Sequence, residues 1–494
     1  MIDLNRDKNN KWIFQKNISS SDLMKSYVEV LNEIKDIDKN QIQEKLREKN
    51  AYTGRSSFGS LSTMGVRFSQ MCFYMFGYKS TRGVFIPTQT TYNMIHDTNA
   101  KNKNMLANLF SIQYPHPYSK TPSEFKIYAG RLILKLLTED RIGNKLYIDE
   151  FIWFLPFIKT INEELYEELV QSIIEYRKLT FQEKNKLFND NNEDGLFANC
   201  LHEVKYYFVT IFQGFGVLQL VPDKNHNNNQ VFSFKHGKTP TFRTDSVVPR
   251  KKTPGYVQLN PELIDLAKDL LDSFSTFDVP TSLDNSHVFS KQEWIEDLYE
   301  NEMIKYLAVI FPSYDRQRDI INALADMTHK SKYGSRDGKD FENSLKPVFE
   351  LFREVLNVDI ISGSGDTDIL CTIQDPEYGV NHYKVNVDAK TGTSANNLNP
   401  ARLDRHIQKN SSRYCIVVAP RFSRGTVLDL EGYPIVIVKA ESLATYLSKE
   451  CLSNRDSMAD YIEVNEIISN NLGTDVSKMF EELTDSKYGI QINQ

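Results

Sequence analysis

Four residues in the last third of the chain, Glu342, Asp368, Asp388 and Lys390, have the types and spacing that would suit hydrolysis of a phosphodiester. That reaction needs a hard cation to neutralise developing charge and activate water. Mg2+ takes oxygen ligands, typically one or two carboxylates plus the substrate phosphate. Asp368 follows the Gly-rich stretch Asp359-Ile-Ile-Ser-Gly-Ser-Gly-Asp366-Thr and leads into an apolar run, Ile369 to Ile373. Asp388-Ala389-Lys390 closes an alternating strand in which Tyr383, Val385 and Val387 face one way and Asp388 and Lys390 the other. The two acids, at the ends of adjacent strands, could converge on one ion. Lys390 could hold the attacking water or stabilise the pentacovalent transition state. Glu342, near the start of an amphipathic helix, could complete the shell directly or through water. Asp366 is a rival for the first carboxylate, and Asp beside Gly also serves plain turns.

Positioning these groups takes a sheet with helices around it. The spacing predicts a helix over 341–356 that buries Leu345, Val348, Phe349, Phe352 and Leu356 along one stripe. Strands at 369–373, 383–390, 414–419 and 434–438 and helices at 400–411 and 441–449 complete an α-β-β-α-β-β-α order around a mixed sheet. Upstream, 21–49 reads as a helix with Ser21 as N-cap, and 51–95 as short strands and turns. The breaker YPHPY at 114–118 marks a plausible domain edge. Residues 125–182 and 198–214 read as helices. Then come GVLQL, an asparagine-rich turn at Asn225–Asn229, VFSF and GYVQLNPE. Helices followed by a β-hairpin are the order of a winged helix, an architecture that serves DNA and protein contacts alike. Residues 262–273 and 292–325 are helical and could bridge to the next domain.

The chain has 494 residues, 25% charged and 40% hydrophobic, with net charge −6, which excludes collagen-like, disulfide-scaffold and wholly disordered classes. No run approaches the ~18 apolar residues of a membrane-spanning helix. The start, MIDLNRDKNNKW, lacks a signal peptide's apolar core. Five scattered cysteines without zinc-ligand spacing read as reduced, buried thiols of a cytoplasm. The charge is unevenly placed: residues 441–494 hold ten acids against four bases, whereas 51–103 hold six bases against one acid. Clustered positive charge on a neutral body fits a phosphate-binding face. Candidates for DNA contact are Arg55, Arg67, Lys79, Arg82, Arg243, Arg250, Lys251 and Lys252. Trp12, Trp153 and the aromatic 73–78 segment read as core, and Arg402, Arg405 and His406 as a solvated helix face.

An acid, nineteen residues and Asp-Ala-Lys between two strands resemble the PD-(D/E)xK nuclease core, with Thr367-Asp368 standing where that family usually has Pro-Asp. Val387-Asp-Ala-Lys-Thr-Gly through Asn397-Leu398 to Arg405-His-Ile-Gln-Lys-Asn410 is similar to the cleavage domain of FokI-type restriction enzymes. The acid that pairs across their cleavage dimer corresponds to Ala401 here. Gln113-Tyr114-Pro115 and Val257-Gln-Leu-Asn-Pro-Glu262 look like the AlwI/PleI/MlyI family of type IIS endonucleases, which includes the nicking enzyme N.BstNBI. The resemblance implies a bacterial, cytoplasmic enzyme that binds a short asymmetric double-stranded DNA site and cuts at a fixed distance. Its cofactor would be Mg2+, with Mn2+ able to substitute. Asp368, Asp388 and Glu342 would be the metal ligands and Lys390 would complete the catalytic set. It implies an α+β multidomain fold: recognition domains at 1–120 and 121–273, the second winged-helix-like, a helical linker at 274–333 and a nuclease domain at 334–494. Transient dimerisation of the cleavage domain and a cognate DNA methyltransferase as genetic partner belong to the same expectation, and no membrane does.

Overall fold

Short amphipathic stretches punctuated by Gly, Pro and Asn produce many small elements here. The computed structural model describes residues 2–15, 21–33, 39–49, 61–191, 195–234, 250–251, 255–283, 290–335, 338–361, 366–375, 381–392, 398–454 and 456–489. The chain divides into two units, Met1–Phe311 and Pro312–Gly489, a division that falls inside the stretch expected to link.

The amino-terminal unit is mostly helical. Ser21–Glu33 and Lys39–Glu48 form two helices within the expected 21–49. Leu61–Phe73 is a helix where strands and turns were expected, because Phe68, Met71 and Cys72 recur at helical spacing and are buried. Strands β1 (Gly77–Lys79) and β2 (Phe85–Pro87) then pair antiparallel. The YPHPY segment is interior, with Tyr114 and His116 buried and the Tyr114 hydroxyl donating to the Ile13 carbonyl. Helices Lys101–Ser111 and Ala129–Leu137 cross so closely that a Cβ on Gly130 would lie 1.7 Å from the Leu109 carbonyl oxygen. After them come β3 (Leu146–Tyr147), helices Ile148–Phe154, Glu163–Lys178 and Phe181–Asp190, and a helical run from Leu196 to Gly214. Strands β4 (Leu218–Val221), β5 (Ser233–Phe234), β6 (Arg250–Lys251) and β7 (Tyr256–Leu259) follow. The sheet order is β3-β7-β4, and β5 pairs with β6. Periodicity cannot reveal the two-residue β3, since its only signal is its antiparallel pairing with Tyr256 and Val257. Gly255 at φ +87° turns the chain into β7, where a Cβ would sit 1.9 Å from the Val221 carbonyl.

The carboxy-terminal unit is built on a five-stranded mixed sheet: β8 (Val355–Ile360), β9 (Ile369–Gln374), β10 (His382–Ala389), β11 (Ser412–Ala419) and β12 (Ile435–Lys439). Their order is β12-β11-β10-β9-β8, antiparallel from β8 to β10 and parallel from β10 to β12. β11 and β12 read as unbroken Val/Ile runs because both of their faces are covered. One face, with Val385, Val387, Ile416 and Val436, packs against Lys339–Phe349, Ala440–Ser453 and the two terminal helices Tyr461–Asn470 and Ser477–Tyr488. The other, with Cys415, Val417, Ile435 and Ile437, packs against Leu403 and Ile407 of helix Pro400–Asn410.

Two expectations need correcting. The helix expected over 341–356 ends at Phe349, two residues after Pro347, and the chain turns into a strand not anticipated, β8. Leu345, Val348, Phe349 and Phe352 are buried as expected, but Leu356 lies on that edge strand and is 59% exposed. A short helix, Arg424–Leu428, also separates β11 from β12. All five cysteines are buried free thiols. Trp12, Trp153 and the 73–76 aromatics are core.

Candidate active site

Asp388 lies near the end of β10, where Asp388 pairs with Val417 of β11, so it points to the face covered by helix Pro400–Asn410. It is 1% exposed, and neither carboxylate oxygen accepts a directed hydrogen bond. Its ion-pair partner is the Lys390 ammonium, which also donates to the Ala389 carbonyl at 3.1 Å. The Lys390 backbone N–H donates to Val418 O at 2.9 Å, which ties the residue to the parallel strand.

Asp368 enters from the turn before β9 and accepts the Ala389 N–H at 2.7 Å. Burial, and then the Asp388 charge, pushes its carboxyl up to about 7, against the pull of Lys390 and the Ala389 amide. Glu342 adds a weaker push from helix Lys339–Phe349 on the opposite layer of the sheet. The structure therefore brings Asp368, Asp388 and Lys390 together, with Glu342 within their field. Among the described residues no group of three or more His, Cys, Asp or Glu side chains is placed to hold a metal ion.

Asp366 is engaged differently. It accepts from Lys409 Nζ at 2.5 Å, Asn410 Nδ2 at 3.2 Å and the Thr367 N–H at 2.9 Å. The Lys409 hydrogen bond holds its carboxyl below the usual range. An acid so occupied is a clasp between the turn and helix Pro400–Asn410. Thr367, noted in the sequence only as standing where the resembled family has Pro, is buried, and its hydroxyl donates to Val387 O at 3.0 Å, which stitches the acid-bearing turn to β10. The Asp-Thr-Asp triplet was its only signal. His406 is 5% exposed and leaves Nδ1 without a partner, which corrects its assignment to a solvated face. Burial, and then Arg402, pushes its imidazole below the ordinary value.

The DNA-contact candidates are dispersed among elements. Arg67, half-buried, donates to the Tyr27 hydroxyl at 3.0 Å. Lys79 ends β1 with Nζ 3.5 Å from Ser69 Oγ, and Arg82 is exposed in the turn to β2. Arg250 and Lys251 form β6. Arg55, Arg243 and Lys252 lie outside the described residues.

A family model described as type II restriction endonuclease HgaI, N-terminal domain, matches residues 6–274. The chain belongs to that family of type II restriction endonucleases. This HgaI-family chain is also 29% identical to the type II restriction enzyme HgaI of Avibacterium volantium, over 97% of its own length and 98% of the relative's. The match is to HgaI, and the expected AlwI/PleI/MlyI membership stays a resemblance. Among solved structures, restriction endonuclease FokI aligns at a TM-score of 0.26 and 12% identity, over 93% of this chain and 98% of that one. The BpuJ1 endonuclease binding domain, in complex with pyrene- and phenanthrene-modified DNA, aligns at 0.37 and 12%, over 60% and 100%. Neither score carries a structural argument. No helix among the described residues is long and apolar enough to cross a membrane.

Proposed function

We propose that this chain is a Mg2+-dependent, type IIS-like endonuclease with a PD-(D/E)xK core. Residues 1–273 would read an asymmetric double-stranded DNA site through winged-helix-like modules, 274–333 would link, and 334–494 would cut at a fixed distance. The observation that carries this reading is the buried Asp388 carboxylate, which has no directed donor and stands beside Asp368 and Lys390 in a chain of this family. Two acceptor-only groups crowded together in a dry site suit a hard divalent cation, and that donor set fits Mg2+ or Mn2+.

Asp388 and Asp368 would hold the ion, with Glu342 completing the shell directly or through water. When bound, the cation supplies charge neutralisation and activation of water. Lys390, pinned by its amide to β11, places its ammonium where it can orient the attacking water or stabilise charge on the phosphoryl oxygens. Asp366, Lys409 and Thr367 hold the turn so that Asp368 meets β10. The antiparallel pairing of β3 with β7 and of β7 with β4, with helices between β3 and β4, supports the winged-helix reading.

Incubation of supercoiled plasmid with Mg2+ tests this. Linear product at defined sites is expected, and untouched plasmid overturns it in favour of a non-catalytic DNA-binding protein. Open-circular product would assign a nicking enzyme with the same chemistry. Dimerisation of the cleavage unit and a partner methyltransferase remain part of the proposal.

A further inference from the structure

The asparagine-rich turn between β4 and β5 is built with more care than a connector needs. Asn227, Asn228 and Asn229 take φ of 52°, 52° and 64°, three successive left-handed residues, a conformation Asn visits singly and rarely in a run. The turn is anchored from beneath. His226 Nε2 lies 2.9 Å from Oδ1 of Asp149, a fully buried carboxylate that also accepts from the Tyr176 hydroxyl at 3.1 Å. The Tyr147 ring stacks on the His226 ring at 3.6 Å and 7°, and its hydroxyl donates to Asp223 at 2.8 Å. Lys184 Nζ donates to the Asn227 side-chain oxygen at 2.9 Å. Backbone bonds from Asn228 to Asn225 O and from Gln230 to Asn227 O close the turn. Above this foundation Asn228, Asn229 and Gln230 are exposed, and no side-chain hydrogen bond of theirs occurs among the described residues.

We propose that the turn 225–230 is a base-reading loop, whose Asn228, Asn229 and Gln230 amides contact base edges in the major groove of DNA. A carboxamide offers a donor and an acceptor side by side, which matches the N6 and N7 edge of adenine. An amide held rigid loses little freedom on binding, so an anchored turn outperforms a loose one. The inference rests on the proposed DNA endonuclease function and adds the residues that select sequence.

The test is run-off sequencing of cleavage ends from a random-sequence DNA library with Mg2+, for the full chain and two variants. Asn228→Gly/Asn229→Gly keeps the positive φ and deletes two amides. It is expected to flatten preference at one or two base positions and to slow cutting of the preferred site by roughly tenfold to a hundredfold. Asn228→Asp tolerates the same backbone and leaves only acceptors. It is expected to move preference at one position from adenine toward cytosine, whose N4 donates. Variants with the preference and rate of the unmodified chain overturn the loop assignment alone, as does an equal loss on every sequence. A library left uncut by the unmodified chain instead overturns the endonuclease reading.

Discussion

Asp149 in the amino-terminal unit and Asp388 in the carboxy-terminal unit are both shut away from solvent, yet they are treated in opposite ways. Asp149 is ringed by donors, His226 and Tyr176, and Lys184 adds charge. Burial pushes its carboxyl up, but His226 and Lys184 outweigh that and hold it below the ordinary value. Asp388 has an ammonium beside it and no directed donor on either oxygen. A single ammonium leaves most of the carboxylate's lone pairs without a donor, and in a buried group each one left so costs stability. The difference teaches that burial of an acid is not the mark of a site. On the proposed reading, the mark is burial beside a second acid and a single ammonium, with no donor aimed at either oxygen.

Breaking each acid in turn should separate the two. Asp388→Asn is expected to reduce plasmid cleavage roughly 10³-fold, the scale of losing a metal's charge stabilisation, while leaving the metal-free melting temperature unchanged or raised. A melting temperature that falls as far as the activity would place Asp388 with Asp149. Asp149→Ala strands His226 and Tyr176 and is expected to cost about 2–3 kcal/mol of stability in urea unfolding. Glu342→Gln, at the margin of the field, is expected to slow cleavage only about tenfold, the low side of a positioned acid–base group. A loss equal to that of Asp388→Asn would make Glu342 a direct ligand.

The Asp368 carboxyl supplies a pH test. With its folded value near 7 and its unfolded value near the usual carboxylate range, the unfolded chain gives up this proton first as pH rises. Metal-free stability should therefore decline between about pH 4 and 7 and level off above, where both states are ionised. Mg2+ should raise the melting temperature more at pH 8 than at pH 6, and Asp368→Asn should erase that difference. A pH-independent Mg2+ effect would detach the ion from Asp368. Thr367→Val is the smallest change: loss of the bond to Val387 O is expected to cost about 1 kcal/mol.

The carboxy-terminal unit was the more legible because its signals are local. Alternation along 383–390 assigned Val385 and Val387 to the core and Asp388 to the other face, and the burial agrees. The helix expected at 400–411 forms as Pro400–Asn410, and the Asn399 side chain caps it by accepting the Arg402 N–H at 3.0 Å. β8 went unread because a partly exposed edge strand carries little apolar pattern, and the helical stripe ran on into it through Leu356. In the amino-terminal unit, helix Leu61–Phe73 hid behind a Ser/Thr-rich composition.

Residue types and spacing by themselves determined that acids and a lysine of this chain fall at strand ends around an apolar sheet, because alternation and apolar periodicity are properties of neighbours along the chain. Tertiary structure alone decided how each of these acids is surrounded. Asp366 and Asp368 are chemically the same and two residues apart. One is clasped by Lys409 and Asn410, and the other is pressed toward Asp388 in a desolvated corner. Desolvation and donor supply depend on what packs from distant parts of the chain, and no local pattern encodes them.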